Sequence, residues 1–243
     1  MIIGNGVIRA AAALADVEAA IGGRKDVVLL AHAAGVANEK LPKDAIVYNF
    51  EPLFDDCRSF TLGYLDTLRR HPVWDYQARN VEYLKTKGIE AKHVPYGWHP
   101  ALTRVKTAPK DIDVLFFGSA SPRREYLLSG LKGRCRFVWP EATYGAALDK
   151  LVARSHIVLN LHYTDKPHPL EVVRLNYLLA NGAFVISERG WDEAENALYD
   201  DGLVFSEQPI RDALAWLPFP RPRAMVSFAT LPTVQRFPFR MPA

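Results

Sequence analysis

The second half of the chain alternates between short apolar runs and longer amphipathic stretches, and this alternation constrains the fold more than any other feature. It covers residues 111–217. The apolar runs are DVLFFGS, RCRFVW, HIVLNLHY, AFVISE and LVFSE, and the stretches between and after them are SPRREYLLSGL, YGAALDKLVAR, PLEVVRLNYLLANG, WDEAENALY and PIRDALAWL. Strands that alternate with helices are joined by crossover connections and therefore run parallel. The pattern predicts an α/β fold with a doubly wound parallel sheet.

The first hundred residues show a sparser version of the same pattern. Periodicity predicts helices over residues 10–21 and 75–87, the second ended by Gly88, and strands over residues 27–31, 45–50 and 91–95. Residues 100–110, PALTRVKTAPK, have few large apolar side chains and are typical of a connector. We therefore expect an N-terminal α/β lobe (1–105), a C-terminal lobe (106–217) and a tail (218–243), with a cleft between the lobes.

Composition narrows the class of protein. The chain has 243 residues, 49% of them hydrophobic, which is enough for a sizeable core. Its net charge of +3 comes from scattered basic and acidic residues, so a nucleic-acid partner is not expected. The first twenty residues lack the pattern of a secretory signal, and no apolar stretch is long enough for a membrane span, which predicts a cytoplasmic protein. Cys57 and Cys135 form no CxxC or Cys/His pattern, so neither a disulfide framework nor a zinc site is expected.

The stretch SHIVLNLHYTDKPHPLEVVRLNYLLANGAFVISE, residues 155–188, carries the strongest functional signal. A helix is predicted to begin at Pro169 and to end at Gly182, and to be buried around most of its circumference. Glu171 and Arg174 are three residues apart near its start, beyond the carboxyl end of the preceding strand, where α/β proteins bind ligands. One alternative is an ordinary surface ion pair between the two. Further polar residues in the preceding loop favour a binding site; they are His162, Tyr163 and His168.

The turn after the run DVLFFGS predicts an anion site. Gly118 and Ser119 follow the strand, and the next helix opens at Pro122 with free backbone N–H groups at its positive end. Arg123 and Arg124 in the first turn oppose the helix dipole, which a bound phosphate would explain. The alternative is a serine N-cap followed by exposed arginines.

Two residues at predicted carboxyl strand ends are candidates for a catalytic group. Glu51 follows the run AIVYNF and His32 follows VVLLA, so both lie at the edge of the sheet where ligands bind. The alternative for each is a loop residue without a catalytic role.

Several of these stretches, in order, resemble the bacterial GT-B glycosyltransferases, in particular the CgeB-like (glycosyl transferase family 1-like) group. They are VWDYQARNVEYLKTKGIEAKHVPYGWHP, DVLFFGSASPRR, ARSHIVLNLHY and EVVRLNYLLANGAFVISE, within residues 70–190. The resemblance implies two Rossmann-like lobes, of which the N-terminal, acceptor-side lobe is abbreviated here. It also implies a nucleotide-sugar donor, UDP- or GDP-linked, held by the loop after Phe117, the loop 162–168 and the start of the Glu171 helix.

If the resemblance extends to activity, the chain is a transferase that moves a sugar from this donor to an acceptor that the sequence does not name. Glu51, His32 or His99, in the segment PYGWHP, would be the general base. No DxD-like acid pair follows a strand, so metal-independent binding with no additional cofactor is expected.

Other classes of function remain open at this stage. A non-catalytic α/β protein could bind a nucleotide or another subunit through the same cleft. An NAD-dependent enzyme fits less well, because the first strand is not followed by GxGxxG. The proline- and aromatic-rich tail could pack back onto the lobes or extend onto a second copy in a homo-oligomer.

Overall fold

The chain divides into two compact units, residues 1–96 and 97–243. The computed structural model describes residues 2–4, 27–31, 41, 43–55, 62–96, 102–166 and 168–217. The predicted helix over 10–21, the residues Cys57, His32 and His99, and the tail from 218 all lie outside the described residues. Among the described residues there is no helix with the length and apolar character needed to cross a bilayer.

The first unit contains a five-stranded parallel sheet in the order β1-β2-β3-β4-β5. Its strands are β1 (Ile2–Gly4), β2 (Val27–Ala31), β3 (Ile46–Asn49), β4 (Val73–Asp75) and β5 (Ala91–His93), and its described helices are α1 (Leu62–Arg69) and α2 (Ala78–Thr86). Apolar side chains of β3, β4 and the two helices form a core that includes Val47, Leu65, Leu68, Val73 and Leu84.

The structure corrects the sequence-based prediction in one part of this unit. The predicted helix was expected to begin at Asp75, but Asp75 is the last residue of β4, which pairs with β3 and β5, and the helix begins only at Ala78. All three residues of β4 are buried. A three-residue strand is too short to show a periodicity, so flanking pattern alone could not identify it. Helix α1 was also not predicted.

The second unit contains a five-stranded parallel sheet in the order β10-β9-β8-β6-β7. Its strands are β6 (Ile112–Phe116), β7 (Phe137–Val138), β8 (Ser155–Asn160), β9 (Val185–Ser187) and β10 (Val204–Phe205). Its helices are α3 (Pro122–Ser129), α4 (Gly145–Arg154), α5 (Val172–Ala180), α6 (Glu193–Ala197) and α7 (Pro209–Trp216). The predicted alternation over 111–217 is therefore confirmed, element by element.

The strand order of this second sheet contains a reversal. The chain passes from β6 to its neighbour β7 on one side and then crosses to β8 on the other side of β6, before continuing to β9 and β10. In open α/β sheets such a reversal leaves a crevice outside the carboxyl ends of the two strands, and ligands bind there. The described strands of the first sheet follow one another in chain order without a reversal. The crevice thus lies beyond Phe116 and Asn160.

Helix α5 begins later than predicted. Pro169 was expected at its first position, but the helix starts at Val172, and Glu171 is its N-cap residue with non-helical backbone angles. A turn closed by the Val172 N–H and the Leu170 carbonyl precedes it. The predicted end is confirmed, because the helix stops at Ala180 and Gly182 adopts φ +66°. Most of its residues are buried, as predicted.

The segment before β6 is fastened to the second unit by Asn181. The backbone N–H groups of Arg104 and Val105 donate to Asn181 Oδ1, and Asn181 Nδ2 donates to the Leu102 carbonyl. Arg104 also pairs with Asp149 of α4. Residues 102–105 therefore belong to the second unit.

Candidate functional site

Three adjacent strands of the second sheet end in polar residues. Strand β6 leads to Gly118, β8 ends at Asn160 and leads to His162, and β9 ends at Ser187 and leads to Glu188. Because the strands are parallel neighbours, their carboxyl ends meet at one edge. Residues distant in sequence are thereby brought to the crevice of this sheet.

Asn160 connects the two charged residues that the sequence singled out. Its Nδ2 donates to Glu171 Oε2 at 2.9 Å and to Ser187 Oγ at 2.9 Å, and its Oδ1 accepts from Arg174 Nη1 at 2.7 Å. Asn160 is completely buried. Glu171 and Arg174 are thus not a surface ion pair; they are held at the crevice through an amide that sequence analysis missed. The signal in the sequence was the asparagine at the end of the apolar run HIVLN, because a polar side chain in a buried strand needs hydrogen-bond partners.

Glu171 also contacts both histidines of the preceding loop. His162 Nδ1 lies 3.1 Å and His168 Nδ1 lies 3.7 Å from Glu171 Oε1. Burial alone would raise the pKa of Glu171, but the hydrogen bond and charge of His162, together with Arg174, lower it to about 2. Glu171 is therefore a carboxylate at neutral pH.

His162 is held by acceptors on both ring nitrogens. Nδ1 faces Glu171 Oε1, and Nε2 lies 2.7 Å from the Arg189 carbonyl oxygen. Burial lowers the pKa of His162, but the hydrogen bond and charge of Glu171 outweigh this and raise it overall. Burial lowers the pKa of His168, whose Nδ1 lies 2.8 Å from the Pro169 carbonyl oxygen. The geometry fits a protonated His162 beside a neutral His168.

The two arginines after Gly118 are held inside the site. Ser121 caps helix α3, because its side chain accepts a hydrogen bond from the Arg124 N–H. The sequence alternative of a serine N-cap followed by exposed arginines is therefore correct for the cap but wrong for the arginines. Arg123 forms a bidentate pair with Glu188, with distances of 3.0 and 2.5 Å, and a further pair with Asp165 at 2.5 Å. Sequence analysis missed Glu188, which lies 65 positions from Arg123.

Arg124 has no carboxylate hydrogen-bond partner among the described residues. Its guanidinium donates to three backbone carbonyls, those of Ser119 at 3.0 Å, Leu161 at 2.5 Å and His162 at 3.2 Å. Burial lowers the pKa of Arg124 to about 10, and the like charge of Arg174 adds to this effect. Two guanidinium groups thus repel each other in a largely buried setting.

Both guanidinium groups converge on Gly118. A Cβ atom placed on this glycine would lie 3.2 Å from Arg124 Nη1 and 3.2 Å from Arg174 Nη2, and its φ of +148° also disfavours a side chain. Within the described part of the chain, Arg174 Nη2 has no hydrogen-bond acceptor. The Gly118 carbonyl accepts from Trp139 Nε1 at 3.0 Å, which fixes the turn. The two guanidiniums therefore present N–H donors at the carboxyl end of β6.

The charges at this edge do not balance. Among the buried groups, Glu188 neutralises Arg123, which leaves Arg124 and Arg174 with one carboxylate, Glu171, beside His162, whose pKa is raised; Asp165, the second partner of Arg123, is exposed. Ser119 is exposed and Tyr163 is half-buried, with its ring 5.4 Å from the Arg124 guanidinium. An excess of buried positive charge at a ligand-binding edge is suited to an anion.

The candidate base Glu51 lies in a polar network at the carboxyl edge of the first sheet. Its backbone N–H donates to Asn49 Oδ1, and its carbonyl accepts from Asn49 Nδ2 and Asn80 Nδ2. The same two asparagines donate to Asp75, a fully buried acid that sequence analysis did not identify. Glu51 itself is 8% exposed. The other candidate bases, His32 and His99, are outside the described residues.

Comparison with known proteins gives little functional information. No family profile matches the chain. An uncharacterized protein of Acanthamoeba polyphaga mimivirus is 24% identical over 151 residues, which cover 58% of this chain and 47% of that protein. The aligned part thus spans about half the length of this curated relative. The site geometry therefore has to carry the functional argument.

Proposed function

We propose that the protein is a glycosyltransferase that transfers a sugar from a nucleotide-sugar donor, and that the donor diphosphate binds at Gly118. The convergence of the Arg124 and Arg174 guanidiniums on this glycine, with Glu171 as the one buried carboxylate beside both of them, carries the proposal. A diphosphate would supply the missing negative charge, and planar guanidiniums bind phosphate oxygens in bidentate geometry. The position at the reversal of strand order supports the same assignment.

In this proposal the remaining site residues have distinct tasks. Glu171 and Asn160 position Arg174, and Arg123 holds Asp165 directly and the His162 backbone through Glu188. Ser119, Tyr163 and His168 border the donor. The guanidiniums stabilise the negative charge that develops on the departing nucleoside diphosphate, so this step needs no metal ion. The proposal treats the two units as counterparts of the lobes of a GT-B transferase, with Glu51 or His32 of the N-terminal unit, or His99, as the base.

The donor site can be tested by nucleotide binding. Thermal shift and calorimetry would compare UDP, GDP, CMP, dTDP and their sugars, with NAD as the negative control. At a hundredfold excess over its Kd, a ligand stabilises the native state by about 2.7 kcal/mol. We expect one nucleoside diphosphate to bind, and Arg174→Met to abolish its binding. Arg211→Met, on the exposed face of α7, is the matched control and should bind normally.

The base can be tested separately from the donor site. Glu51→Gln should leave donor affinity unchanged and reduce the slow hydrolysis of the nucleotide sugar, which needs no acceptor. The corresponding variants of His32 and His99 would be measured in the same assay. Absence of nucleotide binding in the wild-type protein would refute the donor site. Binding without any hydrolysis or transfer would favour the non-catalytic nucleotide-binding alternative.

A further inference from the structure

We propose that His162, His168 and Glu171 form a binding site for a divalent transition-metal ion, with Zn²⁺ as the best match. The site goes beyond the proposed transferase function, which needs no metal. It also departs from the sequence-based expectation of no metal site, which considered acid pairs and cysteines but not this histidine loop. Each of the three residues offers one ligand atom within 4.8 Å of the other two.

The spacing of the ligand atoms is compatible with one bound ion. His162 Nδ1 lies 3.1 Å from Glu171 Oε1, and His168 offers a ring nitrogen within 4.8 Å of the ligand atoms of both. Around Zn²⁺, with bonds of about 2.0–2.1 Å to nitrogen and oxygen, neighbouring ligand atoms are about 3.3 Å apart. The pair of His162 and Glu171 already has this spacing, and the His168 ring has to move closer to complete the set. The two imidazole rings also lie side by side, with centroids 5.2 Å apart.

The outer contacts of the cluster are those of metal ligands. His162 Nε2 lies 2.7 Å from the Arg189 carbonyl oxygen, so it can donate there and leave Nδ1 as the ligand atom. Glu171 Oε2 accepts from Asn160, which leaves Oε1 facing the histidines. His168 Nδ1 can donate to the Pro169 carbonyl, and its other nitrogen then keeps the lone pair. Metal-bound histidines and carboxylates are oriented by such second partners.

The contact between His162 and Glu171 requires a proton or a metal ion between the two ligand atoms. A lone pair on His162 Nδ1 and a carboxylate oxygen at 3.1 Å repel each other unless a proton or a metal ion lies between them. A metal ion that replaces this proton adds a single net charge, which limits its repulsion with Arg124 and Arg174. Two imidazoles and one carboxylate select Zn²⁺ and similar ions over Mg²⁺ and Ca²⁺. Three protein ligands leave a fourth position open for water or an anion oxygen.

Calorimetric titration with ZnCl₂ tests the site directly. The full-length protein, freed of any affinity tag and treated with a chelator, would be titrated in the absence of nucleotide, and Co²⁺ would be followed by its visible absorption. We expect one saturable Zn²⁺ site, a tetrahedral Co²⁺ spectrum and no binding of Mg²⁺. His162→Gln and Glu171→Gln should each lose this site. His71→Gln, a histidine of the first unit, should retain it.

Two outcomes overturn the inference, and each is independent of the proposed function. One is the absence of Zn²⁺ binding by the wild-type protein. The other is unchanged binding by His162→Gln and Glu171→Gln variants whose circular dichroism shows a native fold. Nucleotide binding would be measured separately in the presence of EDTA. Zinc binding without nucleotide binding supports the metal site and refutes the donor site, and the reverse result does the opposite.

Discussion

Asp75 makes the stability of the protein depend on pH in a direction opposite to that of most acids. Its carboxylate is fully buried at the end of β4 and accepts from Asn49, Asn80 and the Gln77 N–H. Burial raises its pKa to about 7, although the hydrogen bonds from Gln77, Asn49 and Asn80 act to lower it. In the unfolded chain the pKa of an aspartate is about 3.9.

The sign of the effect follows from proton uptake. Between pH 4 and pH 7 the native state keeps a proton on Asp75 that the unfolded chain has already lost, so unfolding releases a proton. The free energy of unfolding therefore falls as pH rises, by about 1.4 kcal/mol per pH unit. Between pH 5 and pH 7 the contribution of Asp75 amounts to about 2 kcal/mol, with the slope flattening as the pH approaches the native pKa.

Substitution of Asp75 by asparagine should remove this pH dependence. The amide cannot ionise, so the difference in unfolding free energy between wild type and Asp75→Asn should change by about 2 kcal/mol between pH 5 and pH 7. The variant will also lose stability at every pH, because its NH₂ group faces the Asn49 NH₂ donor. The change of this difference with pH, rather than its absolute size, is the quantity to be measured.

Urea unfolding at pH 5, 6 and 7 provides the assay. Asp66→Asn, which removes an exposed carboxylate from α1 of the same unit, is the control and should follow the pH dependence of the wild type closely. Parallel curves for wild type and Asp75→Asn would show that Asp75 is ionised in the native state. That result would refute the argument from burial.

Two further substitutions, each with a control, test a close packing contact and a helix cap in the second unit. Gly190→Ala should destabilise the protein by about 1–3 kcal/mol, because the new Cβ would lie 2.6 Å from the Leu170 backbone nitrogen. Gly63→Ala, with open space around it in α1, should leave stability unchanged or raise it, and equal destabilisation by both would contradict the packing argument. Ser121→Ala removes the N-cap of α3 and should cost about 1 kcal/mol in denaturant unfolding, whereas Ser121→Asp should restore most of the loss.

The fold of the second unit was largely predictable because its elements are encoded locally. Each apolar run became a strand, and Ser121 and Gly182 mark helix ends as their turn chemistry suggests. Prediction failed where an element was too short for a periodicity, as in β4, and where a proline suggested an early start, as at Pro169. A proline fits the first turn of a helix, but it also fits the extended segment before one.

The candidate site was predictable only in part. The sequence pointed to Glu171, Arg174 and the two loop histidines because they lie within thirteen positions of one another around one helix start. It gave no sign of Asn160 as the bridge between two charges, or of Glu188 as the partner of Arg123. These contacts depend on which strands are neighbours, and a hydrophobic pattern carries no information on strand order.

By itself, the sequence determined that the protein is built of parallel strands and helices and that polar residues collect after particular strands, since periodicity and turn residues act over a few positions. The tertiary structure decided that β6 lies between β7 and β8, which brings Arg124 next to Arg174 at Gly118. It also decided that Asp75 is buried and that Arg124 has no carboxylate hydrogen-bond partner within the described residues. Charge balance and desolvation depend on the surroundings of a group in space, and only folding creates those surroundings.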